Sequence, residues 1–231
     1  MSRYMCEKCQ DTGYIVTREN GMEMAERCEC LKKRIAADAM ERSGISPELQ
    51  KKGFNNFNSK GIDTLEMAKK KALEYYNCFR TIEHSRNNSI IFCGQVGSGK
   101  THLAMAICNN LINVCGIGIT YMAYRNAVTL IKQSLTDKDD YGNAIRKFCM
   151  ARVLCIDDLL KGKITQSDLN ILYEIINYRY MNNSPMVLST EMLPDDLIEF
   201  DEAVGSRILE MCRGNVVVLE GKKLNYRLYS K

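Results

Sequence analysis

Ser89-Ile-Ile-Phe-Cys-Gly-Gln-Val-Gly-Ser-Gly-Lys-Thr-His-Leu-Ala-Met-Ala-Ile-Cys-Asn-Asn-Leu111 is the stretch that decides the fold. An apolar run, Ser89–Cys93, enters Gly94–Thr101, which fits G-x-x-x-x-G-K-[ST] in full. A helical segment, His102–Leu111, follows. Strand, glycine-rich turn and helix in that order let backbone N–H groups turn inward around phosphate oxygens, with the positive end of the helix behind them. The candidate nucleotide-binding set is Gly94, Gln95, Val96, Gly97, Ser98, Gly99, Lys100, Thr101 and His102. In such a loop the lysine reaches the β-phosphate of ADP or the β- and γ-phosphates of ATP, and the hydroxyl of Thr101 ligates Mg²⁺. The bland alternative is a glycine-rich turn with a chance lysine, and the flanking strand and helix argue against it.

Further apolar runs of strand length lie at Gly118–Met122, Val153–Ile156, Pro185–Leu188 and Val216–Leu219, mostly separated by helical segments. Continuously apolar strands alternating with helices predict an α/β fold with a parallel sheet covered on both faces. Val153-Leu-Cys-Ile-Asp-Asp158 is the one strong candidate for an acidic strand end downstream of the loop. Asp157 would hold Mg²⁺, and Asp158 would polarise the attacking water. A pair of solvated loop acids is the alternative.

The chain has 231 residues, 45% hydrophobic and 26% charged, which excludes disorder as the dominant state. A net charge of +4 is compatible with an anionic partner without indicating one. No run approaches the roughly 18 apolar residues of a membrane helix, and Met1–Glu7 has no apolar signal core, so a cytoplasmic protein with no membrane partner is expected. Eleven cysteines in a reducing compartment read as thiols or metal ligands. Seven are scattered among apolar residues, whereas Cys6, Cys9, Cys28 and Cys30 crowd the first thirty positions. Four thiolates are what a closed tetrahedral Zn²⁺ site needs, and a hairpin turning at Asn20-Gly21 would bring the two pairs together. Iron–sulfur ligation and free thiols are the alternatives; His84 and His102 read as ordinary polar residues rather than metal ligands.

A helix-like run from Cys30 to Arg42 and a break at Ser43–Pro47 close this first region. Two domains are therefore expected, a small zinc-binding module over 1–50 and a nucleotide-binding domain over 51–231. Phe54 and Phe57 should dock their loop on the larger domain, and Thr64–Thr81 should be a helix. The C-terminal segment Arg213–Lys231 carries Arg213, Lys222, Lys223, Arg227 and Lys231 against Glu220, with Tyr226 and Tyr229 among them. It reads either as a surface that stacks on and pairs with single-stranded DNA or as a solvated basic tail.

Gly94–Ala104 together with Cys155–Leu159 resembles the AAA+ ATPases of the DnaC/DnaI type, replicative helicase loaders that are often phage- or prophage-encoded. Ile175–Tyr180, Met186–Thr190 and Gly205–Glu210 resemble three further segments of that family, and the match covers about Phe54 onward. The resemblance implies a P-loop AAA+ parallel sheet between helices and ATP hydrolysis. It also implies homo-oligomers when ATP is bound, loading of a DnaB-type helicase onto single-stranded DNA, and a zinc-binding N-terminus that holds the helicase. Carried over, Arg207 is the finger that enters a neighbouring subunit's ATP site, where a guanidinium stabilises charge on the γ-phosphate. A surface arginine is its alternative. Arg179 either faces a neighbour or forms a surface salt bridge. Thr190 takes the sensor-1 position, although the family's asparagine after it is here Glu191. With 24 residues after Arg207 no full helical lid is expected, and Arg227 could approach the nucleotide. The runner-up readings are an IstB-type transposition accessory ATPase and a non-hydrolysing nucleotide-gated adaptor. A small-molecule P-loop kinase is disfavoured, because the Arg207 segment has no purpose there.

Overall fold

The structure, a computed structural model, describes residues 4–19, 22–59, 61–135 and 138–229. It opens with a two-stranded antiparallel hairpin, β1 (Tyr14–Glu19) and β2 (Met22–Arg27), in register from Tyr14↔Arg27 to Glu19↔Met22. The turn at Asn20-Gly21 lies outside the described residues. Helix α1 (Glu29–Ser43) ends at Gly44 in the left-handed region, and α2 (Pro47–Gln50) starts under a Ser46 cap. A single 3₁₀ turn at Phe54–Asn56 follows, and both phenylalanines of that loop are buried in the main core.

In α3 (Asp63–Ile82) the buried positions Leu65, Ala68, Ala72, Tyr75 and Phe79 recur every three or four residues, so one stripe faces the core. Then come β3 (Ile90–Gly94), α4 (Lys100–Asn113), β4 (Ile119–Ala123), α5 (Tyr124–Gln133), α6 (Lys138–Cys149) and β5 (Val153–Leu159). The chain continues through α7 (Gln166–Met181), β6 (Met186–Thr190), α8 (Pro194–Phe200), α9 (Glu202–Met211), β7 (Val216–Leu219) and α10 (Tyr226–Tyr229). The sheet is all parallel in the order β4-β5-β6-β3-β7.

Its strands are apolar on both faces because both are covered. Ile90, Phe92, Val153, Cys155 and Val187 point into one core with α3 and α4. Ile91, Cys93, Leu154, Ile156 and Leu188 point into the other with α5, α6, α7 and α9. The α/β expectation therefore holds, with element ends within a few residues of those read from the sequence. Helix α1 rests on α4 and β4. The Asn109 amide of α4 donates to the carbonyls of Leu49, Gln50 and Lys52 at 2.7–3.2 Å, tying α2 to the same helix. Among the described residues no helix is long and apolar enough to cross a membrane.

Candidate functional site

At the C-terminal ends of the strands lies a cleft of about 600 Å³. The loop between β3 and α4 forms one wall. Gly97 and Gly99 adopt φ +73° and +93°, where a side chain is strained. A Cβ at Gly97 would also meet Asn225 Oδ1, and one at Gly99 would strike the Phe57 ring at 2.7 Å. The loop is braced from within, since the Ser98 hydroxyl donates to the Gln95 carbonyl at 2.8 Å. Lys100 Nζ donates to the Gly94 and Gln95 carbonyls at 2.7 Å each. Burial pulls the pKa of Lys100 down, and the nearby Glu191 and Asp158 carboxylates oppose that pull. Val96 lines the cleft from the loop's tip.

Asp157 meets Thr101 across the sheet. Its Oδ1 accepts from the Thr101 hydroxyl at 2.8 Å and from the Ser189 hydroxyl at 2.5 Å, and its Oδ2 accepts from Tyr121 at 3.1 Å. The Thr101 hydroxyl and the Asp157 carboxylate thus stand side by side as hard oxygen donors, a pair that suits Mg²⁺. The sequence reading missed Ser189 and Tyr121; a hydroxyl inside the otherwise apolar run Met186–Leu188 onward is the signal that points to Ser189. Burial and the Asp157 carboxylate push the Tyr121 phenol up, so it stays a donor.

The β5–β6 pairing slips between Ile156 and Leu159, and Asp158 and Leu160 sit at φ 55° and 59°. This bulge turns Asp158 into the cleft while its N–H donates to Ser189 Oγ at 3.0 Å. Thr190 is placed elsewhere. Its buried hydroxyl donates to the Leu159 carbonyl at 2.9 Å and does not line the cleft, whereas Glu191 does.

His102 also lines the cleft: its Nε2 lies 2.9 Å from the Gly53 carbonyl and 3.0 Å from Asn56 Oδ1, with the ring edge-on to Phe57. Burial pulls its pKa down. Opposite the loop, the Tyr226 N–H donates to the Gly97 carbonyl at 2.9 Å, and Tyr226 and Arg227 line the cleft. Two residues of the C-terminal segment thus border the cleft while remaining solvent-exposed.

Arg207 on α9 is not among the cleft's lining residues. Its guanidinium sits over the rings of Tyr173 and Tyr180, at 5.2 and 5.4 Å, and donates to the Ala203 carbonyl. Glu210, one turn on, is taken by Arg86 and the Tyr180 hydroxyl. Arg179 corrects both of its expectations. It is fully buried and donates to the carbonyls of Phe148, Cys149, Ala151 and Pro185, so it reaches neither a neighbour nor a surface acid.

Outside the cleft, the Sγ atoms of Cys6, Cys9, Cys28 and Cys30 all lie within 4.8 Å of one another. Cys6 and Cys28 are 3.8 Å apart, and Cys9 and Cys30 are 3.2 Å apart. Four sulfurs about 2.3 Å from one Zn²⁺ would stand about 3.8 Å from each other, so the donor set fits that ion. The carboxylate of Asp11 accepts from the N–H groups of Met5 and Cys6 and holds the first knuckle in shape.

A family described as IstB-like ATP binding protein matches residues 33–231. The phage-like element PBSX protein XkdC of Bacillus subtilis (strain 168) is 36% identical, covering 98% of this chain and 87% of the relative. The replicative helicase loader DnaC of Escherichia coli (strain K12) is 25% identical, covering 74% of this chain and 67% of the relative. The crystal structure of DnaI superposes with a TM-score of 0.61 at 17% identity, covering 78% of this chain and 94% of that one, a likeness of fold.

Proposed function

The chain belongs to the IstB-like ATP-binding protein family, and we propose that it is an ATP hydrolase that loads a DnaB-type replicative helicase onto single-stranded DNA in the cytoplasm. The observation that carries the reading is the union of two sites in one chain: a cleft joining Lys100, Thr101, Asp157 and Asp158, and a four-cysteine cluster on an N-terminal module. Lys100 and the loop amides hold the phosphates. Thr101 and Asp157 would hold Mg²⁺, which supplies charge neutralisation at the phosphates. Asp158 orients the attacking water and accepts its proton. Arg207, resting on its tyrosine rings with no carboxylate partner among the described residues, enters the ATP site of a neighbouring copy. ATP therefore drives self-assembly, and hydrolysis ends it.

The module over residues 1–50, folded around zinc held by the four cysteines, grips the helicase. Single-stranded DNA lies along the basic C-terminal segment, where Arg213, Lys222, Lys223 and Arg227 offer cations to backbone phosphates. The family's name favours a second reading, an IstB-type transposition accessory ATPase, since the same core would serve both. Co-purification with a DnaB-type helicase, and ATP turnover with and without single-stranded DNA, is the test. A stable helicase complex with ATP-dependent loading supports the loader. Turnover without any helicase binding refutes it, and the absence of turnover under both conditions refutes hydrolysis altogether.

A further inference from the structure

Lys161 has no part in the roles above, yet it lines the cleft beside Lys100, Asp158 and Glu191. Its ammonium lies 3.0 Å from Asp158 Oδ2 and 2.9 Å from Glu191 Oε1. The two carboxylates come from the ends of neighbouring strands, β5 and β6, so a single lysine side chain bridges two elements of the sheet. The bridge is built on fixed backbone. The Lys161 N–H donates to the Asp158 carbonyl at 3.1 Å, closing a turn whose third residue, Leu160, is left-handed. Thr190, the residue before Glu191, pins that turn to β6 through the Leu159 carbonyl. The Lys161 side chain, a flexible four-carbon stem, is nevertheless 43% exposed, so its head can move where its carboxylate partners' backbone cannot.

The pairing bears directly on hydrolysis. Asp158 must offer its carboxylate to water, and Lys161 occupies one of its two oxygens. Lys161 also stands close enough to Lys100 to repel it electrostatically. A terminal phosphate held by Lys100 would therefore lie near the Lys161 head and carry more negative charge than either carboxylate. ADP offers no such group.

We propose that Lys161 is a latch that responds to the terminal phosphate. Held between Asp158 and Glu191, it restrains the acid that directs water; drawn onto a γ-phosphate, it frees that acid, and Glu191 sets how firmly the latch is held. The inference rests on the ATP reading of the cleft. Its test is equilibrium binding of Mg²⁺-ADP and of a Mg²⁺-bound non-hydrolysable ATP analogue to full-length protein. Wild type, Lys161→Met, Lys161→Arg and Glu191→Gln are compared.

Only the analogue offers Lys161 a charge-assisted hydrogen bond, so Lys161→Met should weaken the analogue roughly 10-fold while leaving ADP unchanged. Lys161→Arg keeps the preference for the triphosphate. Glu191→Gln, which removes one anchor, raises that preference. Retained ADP binding shows that each variant is folded. Parallel losses for ADP and analogue in Lys161→Met, or an unchanged preference in both Lys161→Met and Glu191→Gln, would overturn the latch and leave the ATP reading standing. Wild type that binds neither nucleotide overturns both.

Discussion

Replacing Arg179 by methionine tests the part of the fold that the sequence misrepresents most. Arg179 Nη1 serves the carbonyls of Phe148, Cys149 and Ala151 at 2.9–3.0 Å, and Nη2 serves Pro185 at 2.7 Å. Phe148 and Cys149 are the last residues of α6, whose final carbonyls have no partner within the helix. Ala151 and Pro185 lead into β5 and β6. One guanidinium thus caps a helix and clamps the start of two strands, at the end of the sheet opposite the cleft.

Methionine fills a similar volume but takes the donor from the carbonyls of Phe148, Cys149 and Ala151, while that of Pro185 keeps the Leu154 N–H at 3.2 Å; each carbonyl left alone costs about 1–3 kcal/mol if nothing replaces the donor. Part of that is recovered, because burial disfavours the cation strongly enough to pull its pKa down to about 10, a penalty methionine avoids. Removing one partner from a buried charged network costs about 3–5 kcal/mol in comparable cases. At about 2–4 °C per kcal/mol for a domain of this size, the melting temperature should fall roughly 10 °C. Calorimetry of wild type, Arg179→Met and Arg179→Lys measures it; lysine, a single point donor, should recover only part. Nucleotide affinity should not change. A loss below about 1 kcal/mol would refute the clamp, and lost ATP-dependent assembly without lost stability would restore a neighbour-facing Arg179.

At the cleft, Lys100→Ala should abolish ATP binding or turnover, whereas Asp158→Asn should spare binding and slow hydrolysis by roughly 100-fold or more; unchanged steady-state turnover in both sinks the site. Arg207→Ala should keep nucleotide affinity and lose most turnover, and mixing it with Lys100→Ala should recover activity at mixed interfaces. Co-assembled mixtures that recover none make Arg207 structural. Metal analysis should find one zinc per chain, and Cys9→Ser should unfold the N-terminal module, seen by proteolysis, while the melting of the ATPase domain persists. Near-zero zinc in protein purified without chelator or oxidant rejects that site.

The phosphate loop was legible because its requirements are local: a strand, glycines and a helix contiguous in the chain. The acidic strand end was legible for the same reason, and the cysteine pairs needed only a hairpin between them. What the sequence does not carry is strand order. Ser189 reaches Asp157 because β6 lies between β5 and β3, and Tyr121 reaches it because β4 flanks β5 on the other side. The family resemblance puts Thr190 at the sensor-1 position, but the pairing Leu159↔Thr190 turns its hydroxyl onto the neighbouring backbone. Arg179 reads as a surface residue among Asn177, Tyr178 and Tyr180, and only the docking of α6 against α7 closes over it.

The bulge in β5 shows how these non-local facts converge on the chemistry. In a regular strand successive side chains point to opposite faces, so one of Asp157 and Asp158 would be directed away from the cleft. The register slip and the left-handed backbone at Asp158 and Leu160 bring both carboxylates to it. Holding a residue with a side chain in that conformation costs of the order of 1–2 kcal/mol each. The offset sits in the same turn: Leu159 and Leu160 are buried in the core beneath it, and burying a leucine contributes about 1.5–3 kcal/mol. Burial is therefore of the size needed to offset the strain. That is why Asp157 can meet Thr101 and why Lys161 is returned to the cleft, so that one local distortion brings the Thr101–Asp157 pair, the Asp158 carboxylate and the Lys161 ammonium to the same cleft.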